Sequence, residues 1–237
     1  MLRPCLQMSS GLALLLTACS SEPSTDPTVV NSPTATGAVQ GKAMLTAKPV
    51  PGFADVMVPE VSGIADAAAQ RINTSLTTLR DRAAQAAAVC RADAGSQPSA
   101  YRFAAQPTYN NRGILSLRIT GEAACGGAHA NTIAEAQTFD LASGAEVDVV
   151  AASGQSPARL AALAVDGYTG EAACKTFLAG DEATLGSAFV AEQGVGVNYA
   201  VSVGAAQSCT AEPGLVPWAG LTPSLKAPLK RLAPAPR

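Results

Sequence analysis

Leu16-Thr17-Ala18-Cys19 is the one stretch of this chain whose residue types and spacing specify a covalent event. Arg3 supplies a short positive region, Gly11 to Ala18 a compact apolar run, and small residues lead into the cysteine, the layout of a secretory signal. Closing on Leu-Thr-Ala-Cys, it reads as the processing signal of a bacterial lipoprotein. Cys19 is then expected to carry a diacylglyceryl thioether and, after cleavage, an acylated amino terminus. The run falls short of the about 20 apolar residues of a spanning helix, and polar Ser20, Ser21 and Glu22 follow at once. Each buried methylene contributes about 0.8 kcal/mol, so two or three acyl chains hold where one grips only marginally. The competing readings are an ordinary signal peptide with a chance cysteine and a buried core helix.

Six cysteines become a different set once that signal is taken into account. Cys5 leaves with the leader and Cys19 is consumed by lipid, leaving Cys90, Cys125, Cys174 and Cys209. An exported compartment is oxidising, so two disulfides are expected, with three possible connectivities. Sequence proximity favours Cys90 with Cys125 and Cys174 with Cys209. A four-cysteine zinc site is the alternative, but structural zinc ligands come in close pairs such as C-x-x-C, and no two of these lie near each other. No metal or cofactor is implied.

His129 is the only histidine. A zinc site with two histidines cannot be built from it, and a Ser-His-Asp triad would need it without any G-x-S-x-G elbow in the chain. Its bland role is a turn residue bonding to backbone. Glu122, Glu135, Asp140, Glu146 and Asp148 are the acids that could form a carboxylate pair for glycan hydrolysis, although nothing fixes two at a defined separation. Gly194 to Tyr199 starts like a dinucleotide loop but lacks the third glycine, and Gly41-Lys42-Ala43 lacks the Ser/Thr of a phosphate loop.

The elements that must position these residues follow a coarse pattern. Ser21 to Gly41 is rich in Ser, Thr, Pro and Gly and reads as a flexible tether of about 20 residues, spanning roughly 25 Å on average. About 195 residues remain, enough for one domain. A formal charge of −2 argues against nucleic acid as partner. Val56 to Pro59 reads as a short strand. Ser62 is placed to cap a helix to about Cys90, with Ile64, Ala68, Ile72, Leu76, Leu79, Ala83, Ala86 and Cys90 as its apolar stripe. A core helix packed on a sheet outweighs a partner-binding one. Strands are expected at Tyr101 to Ala105 and Gly113 to Thr120, joined by the Asn110-Asn111-Arg112-Gly113 turn. Further strands fall at Ala130 to Leu141, Val147 to Val150, Leu185 to Ala191 and Val195 to Val203. Helices are expected from Ser156 or Pro157 to Val165 and from Trp218 to Leu225, with a frayed end over 226–237. Thr-Gly-Glu-Ala-Ala-Cys occurs twice, ending at Cys125 and at Cys174, through duplication or through chance in an alanine-rich chain.

Three ordered motifs carry a family resemblance: Asn110-Asn111-Arg112-Gly113-Ile114-Leu115-Ser116-Leu117, then Gly126-Gly127-Ala128-His129, then Thr138-Phe139-Asp140-Leu141-Ala142-Ser143-Gly144. They resemble the G-x-L-S-L strand, GGAH turn and FDL-x-TG hairpin of the bacterial envelope family called domain of unknown function 3298. Val216-Pro217-Trp218-Ala219-Gly220-Leu221 looks like that family's closing IPYSEL segment. Cys125 stands just before the turn, where an aromatic-rich Y-x-GGAH is usual. The resemblance implies an α+β domain of the type found in the extracytoplasmic part of a lysozyme-binding anti-sigma factor and beside peptidoglycan deacetylase domains. It assigns the domain no catalytic role, and makes Gly126, Gly127 and His129 a candidate ligand-region turn.

The expected architecture is therefore α+β, with one long N-terminal helix packed on a mainly antiparallel sheet and short later helices. The expected organisation is a signal peptide at 1–18, a lipidated terminus and tether at 19–41, the domain at 42–225 and a tail at 226–237. The function that follows is a non-catalytic lipoprotein attached to the membrane through Cys19, presenting a binding or sensing module to an envelope protein or to peptidoglycan. A wall-acting hydrolase and a structural envelope protein are the alternatives. In a cell with two membranes, Ser20 after the lipid cysteine suggests the periplasmic leaflet of the outer membrane; in a cell with one, the protein would face outward.

Overall fold

The computed structural model describes residues 41–127, 129–202 and 204–233. The signal segment, Cys19 and the tether up to residue 40 lie outside the described residues, as do Ala128, Val203 and the last four residues.

The architecture is mixed α/β, which corrects the expectation of a long N-terminal helix on a single sheet. Two strands, β1 (Met44–Val50) and β2 (Phe53–Ser62), come before the first helix, α1 (Asp66–Ala94). There follow β3 (Ala100–Asn111), β4 (Ile114–Ala124) and β5 (Asn131–Asp140), then α2 (Val149–Ser153), α3 (Pro157–Asp166) and α4 (Ala172–Leu178). A second strand group, β6 (Ala183–Ala191), β7 (Gly194–Val201) and β8 (Gly214–Pro217), is followed by α5 (Trp218–Leu221) and a 3-10 turn at Leu229–Arg231. One sheet has the order β1-β2-β3-β4-β5 and the other β6-β7-β8. All neighbours are antiparallel except β2 and β3, which pair in parallel over only Val56/Phe103 and Met57/Ala104.

β1 went unread because most of its positions are exposed, so it carries no inside-outside alternation. Ser62, the expected cap, is the last residue of β2; the helix starts four residues later behind Ala65, with Asp66 in its first turn complementing the helix dipole. The buried stripe is Ala68, Ile72, Leu76, Leu79, Ala83, Ala87, Cys90 and Ala94, with Ala87 in place of Ala86. It packs on Val56, Val58, Phe103, Leu115, Leu117, Ile119 and Phe139. Complete burial of Ile72, Leu76 and Leu79 contributes about 1.5–3 kcal/mol each.

β4 is covered on both faces. Leu115, Leu117 and Ile119 belong to the α1 core, whereas Ile114 belongs to a second core built from β6, β7, β8 and the later helices. The period-two alternation of a strand places these two sets on opposite sides. That is why β6 and β7 form their own sheet instead of extending the first: they lie over the second face of β4.

Two asparagine amides stand in for missing strand partners. Asn73 on α1 accepts the Val61 N–H and donates to the Val61 carbonyl, both at 2.8 Å. Asn110 does the same for Ala43, at 2.9 and 2.8 Å. The expected strand at Val147 to Val150 is instead the start of α2, where the Asp148 side chain accepts the Ala151 N–H at 2.9 Å. The expected frayed end is folded as far as it is described: Leu229 and Leu232 are buried, and Lys226 N–H donates to the Ala152 carbonyl. The two copies of the repeated hexapeptide take different structures, the end of β4 and the start of α4.

Both disulfides pair as sequence proximity favoured. Cys90–Cys125 ties the last turns of α1 to the exit of β4, and Cys174–Cys209 ties α4 to the 3-10 segment Gly204–Thr210.

Candidate functional site

Gly126 and Gly127 follow Cys125 directly and turn the chain at the C-terminal end of α1. Gly126 has a φ of +85°, and a Cβ there would stand 2.9 Å from the Ala94 Cα, so only glycine allows the turn to close on the helix. His129 is solvent-exposed in the same connection. Among the described residues it belongs to no group of three His, Cys, Asp or Glu side chains able to hold a metal.

Four of the five acids singled out in the sequence, all but Glu146, are held by partners of their own. Glu135 pairs with Arg82, Glu122 with Arg102 at 3.5 Å, and Asp148 caps α2. Asp140 accepts from Arg231 at 2.7 Å and from the Ser143 N–H and hydroxyl at 2.9 and 3.0 Å. Burial by itself would raise the Asp140 pKa, but these hydrogen bonds and the Arg231 charge hold it below the usual carboxylate range. Each of these four side chains has a structural partner, and among the described residues none of them is hydrogen-bonded or ion-paired to His129.

What gathers at this end is a shallow hollow of about 420 Å³ over the Cys90–Cys125 disulfide. Arg82, Ala86 and Val89 on the outer face of α1 form one wall, and Tyr101 and Ala123 on β3 and β4 the other. Val89, which lines the hollow, is 53% exposed, a large apolar side chain in water. Burial raises the Tyr101 pKa, Glu135 adds to the rise and Arg82 opposes it, so the phenol stays protonated and able to donate at neutral pH. The lining suits recognition by an aromatic face, an aliphatic side chain and one cation. Among the described residues its lining carries no serine, histidine or free cysteine, and Asp93 is its one acid.

Of the predicted site residues, Cys125 and Cys90 line this hollow directly, and Gly126 and Gly127 build the turn beside it. Cys174 and Cys209 are buried in the other core. Arg82, Val89 and Tyr101 were missed. Val89 left a legible signal, since it is an apolar residue off the stripe of its own helix. Among the described residues no helix is long and apolar enough to cross a membrane. No protein-family model matches the chain, and no curated protein matches it.

Proposed function

We propose that this protein is an exported lipoprotein, anchored through acylated Cys19, whose folded domain is a binding module for an envelope protein or for peptidoglycan and carries out no bond chemistry of its own. The observation that carries this reading is the cysteine arithmetic. The lipobox and its leader account for two cysteines, and the remaining four pair completely as two disulfides, as expected of a chain matured outside the reducing cytoplasm. The order of the strand, turn and hairpin motifs supports the likeness to domain of unknown function 3298, and with it a role in recognition. The hollow beside the Gly126-Gly127 turn is the face we assign to the ligand.

The test has two arms. Mass spectrometry of the protein from its native envelope should give a mature chain starting at triacylated or diacylated Cys19, and an unprocessed Met1 would overturn the anchor. Co-sedimentation with purified peptidoglycan and pull-down on immobilised lysozyme should show binding to one of them that Arg82→Glu with Val89→Asp abolishes. Binding to neither, or binding indifferent to both changes, would overturn the assigned face.

A further inference from the structure

Two hairpin turns and the end of the described chain close around a second, smaller cavity of about 180 Å³. It is lined by Tyr109, Asn111 and Arg112 at the β3–β4 turn, Glu192 at the β6–β7 turn, Trp218 at the start of α5, and Leu232. Trp218 and Leu232 are 6% and 4% exposed and make an apolar floor. The Trp218 Nε1 is engaged, donating to the Glu192 carbonyl at 3.0 Å, so the ring offers a ligand its surface and not its N–H.

The polar groups around that floor are only partly used. Tyr109 is 5% exposed, yet among the described residues its hydroxyl has no hydrogen-bond partner. That hydroxyl is not sealed from solvent but opens on the cavity, where a ligand's polar group can take the place of water. Asn111 Oδ1 accepts the Arg112 N–H at 2.9 Å, and among the described residues its amide donor has no partner. Arg112 donates from one nitrogen to the Leu232 carbonyl at 3.3 Å and keeps its other donors. Arg112 and Glu192 carry opposite charges, and neither takes part in the ion pairs found among the described residues. Burial, Glu192, Arg112 and Arg231 all act on the Tyr109 hydroxyl, which places it between the two signs of charge; Arg231 itself is held by Asp140.

Arg112 is also the one non-glycine residue with positive φ among those described, at 47°. With Gly113 it makes a two-residue hairpin turn of the kind that favours Asn, Asp or Gly at this position. The backbone of the turn does not need arginine; its guanidinium tethers the Leu232 carbonyl and keeps further donors for a ligand.

We propose that this cavity binds the head of a zwitterionic α-amino acid. Its carboxylate lies on Arg112 and the Asn111 amide, its ammonium on Glu192 and the Tyr109 oxygen, and its apolar side chain against Trp218 and Leu232. Arg112 and Glu192 are both exposed, so each attracts its counter-charge only modestly; a zwitterion gains both attractions, a ligand of one charge only one and a neutral ligand neither. The volume lies below the roughly 300–1,000 Å³ of drug-sized sites and suits one amino-acid-sized molecule. The same chemistry occurs in a free amino acid and at the free end of a diamino acid in a wall peptide.

Isothermal titration of the full chain in detergent with leucine, meso-diaminopimelate and N-acetyl-leucinamide tests this. The two zwitterions are expected to bind, and the uncharged amide at least tenfold more weakly. Tighter binding of diaminopimelate assigns the wall-peptide source, and tighter binding of leucine the free amino acid. Glu192→Gln and Tyr109→Phe should each weaken binding at least tenfold. Arg112→Asn should do the same while still melting cooperatively near the parent, because asparagine suits the turn and offsets the lost bond to the Leu232 carbonyl. Arg82→Glu with Val89→Asp should leave this binding unchanged, which separates it from the hollow on α1. Absence of binding by both zwitterions at millimolar concentration, equal binding of the amide, or full affinity in Arg112→Asn and Glu192→Gln would overturn the proposal.

Discussion

The Ser116 hydroxyl lies 2.7 Å from that of Thr138 and accepts the backbone N–H of Val190 at 2.9 Å, so one buried side chain on β4 joins both sheets. Around it Thr108 donates to the Val190 carbonyl at 2.7 Å, and Asn198 donates to the Glu135 carbonyl at 3.1 Å. Arg118 donates to Asn198 at 2.8 Å and to the Ala211 carbonyl at 2.6 Å. The two sheets meet through a hydrogen-bonded seam, and the apolar cores lie on either side of it. Such a seam fixes one register between the sheets, because a slip would strand the Val190 backbone groups in a dry interior.

Ser116→Ala leaves the Val190 N–H buried without a partner and frees the Thr138 hydroxyl. An orphaned buried donor costs about 1–3 kcal/mol, and with the second bond the total should be about 2–3 kcal/mol. Urea denaturation measures it. A loss below about 0.5 kcal/mol would mean that the seam is already hydrated.

Asp140 closes the turn after β5 and grips Arg231 in the C-terminal segment, so it should govern the acid limb of stability. Its folded pKa lies below the unfolded one, so the unfolded state binds more protons there and stability decreases as the pH is lowered. The contribution is complete above about pH 5 and is lost as pH drops through the lowered folded value. Asp140→Asn should cost about 1–3 kcal/mol at pH 7 and progressively less as pH drops through the lowered folded value, below which both proteins carry a neutral side chain. Denaturant midpoints at pH 7, 5 and 3 check this. A difference that does not shrink would assign the loss to packing.

The pattern of legible and illegible elements follows from where each segment's energy comes from. The α1 stripe, the turn at Arg112-Gly113 and the β6–β7 hairpin are local signals, set by period or by turn chemistry, and they were readable within a residue or two. The Val147 to Val150 segment is β-branched and looked like a strand, but a single Asp148 cap bond at the entry to a short helix overrides that preference. Leu229 and Leu232 sit among prolines and cations typical of a loose end; their burial depends on Arg231 reaching Asp140, 91 residues away. The hollow and the smaller cavity were invisible for the same reason. Tyr101 and Val89, or Arg112 and Glu192, converge only once two sheets and a helix are in place.

The two disulfides close loops of equal length, 35 residues each in sequence separation. If unfolded-chain entropy is what they act on, Cys90→Ser with Cys125→Ser and Cys174→Ser with Cys209→Ser should each cost about 4 kcal/mol. All but Cys125 are nearly fully buried, so a further penalty for placing serine hydroxyls in the core should fall more heavily on the second pair. Paired urea titrations under non-oxidising conditions measure both losses. A cost well below about 1 kcal/mol for either pair would show that its loop is already constrained in the unfolded chain.

Asn73 isolates the value of a side-chain amide acting as a strand. Replacing it with alanine removes both bonds to Val61, worth about 2 kcal/mol together, but alanine favours the helix by up to about 0.7 kcal/mol. The net loss should be about 1–2 kcal/mol. Asn73→Asp keeps the acceptor for the Val61 N–H and sets a carboxylate against the Val61 carbonyl in place of a donor, so it should lose more than alanine at pH 7. Protonation restores a donor at that oxygen, and the order should reverse toward pH 3. Chemical denaturation at both pH values, with hydrogen exchange at the Val61 amide, distinguishes this from a simple propensity effect, for which the order of the two variants would not change with pH.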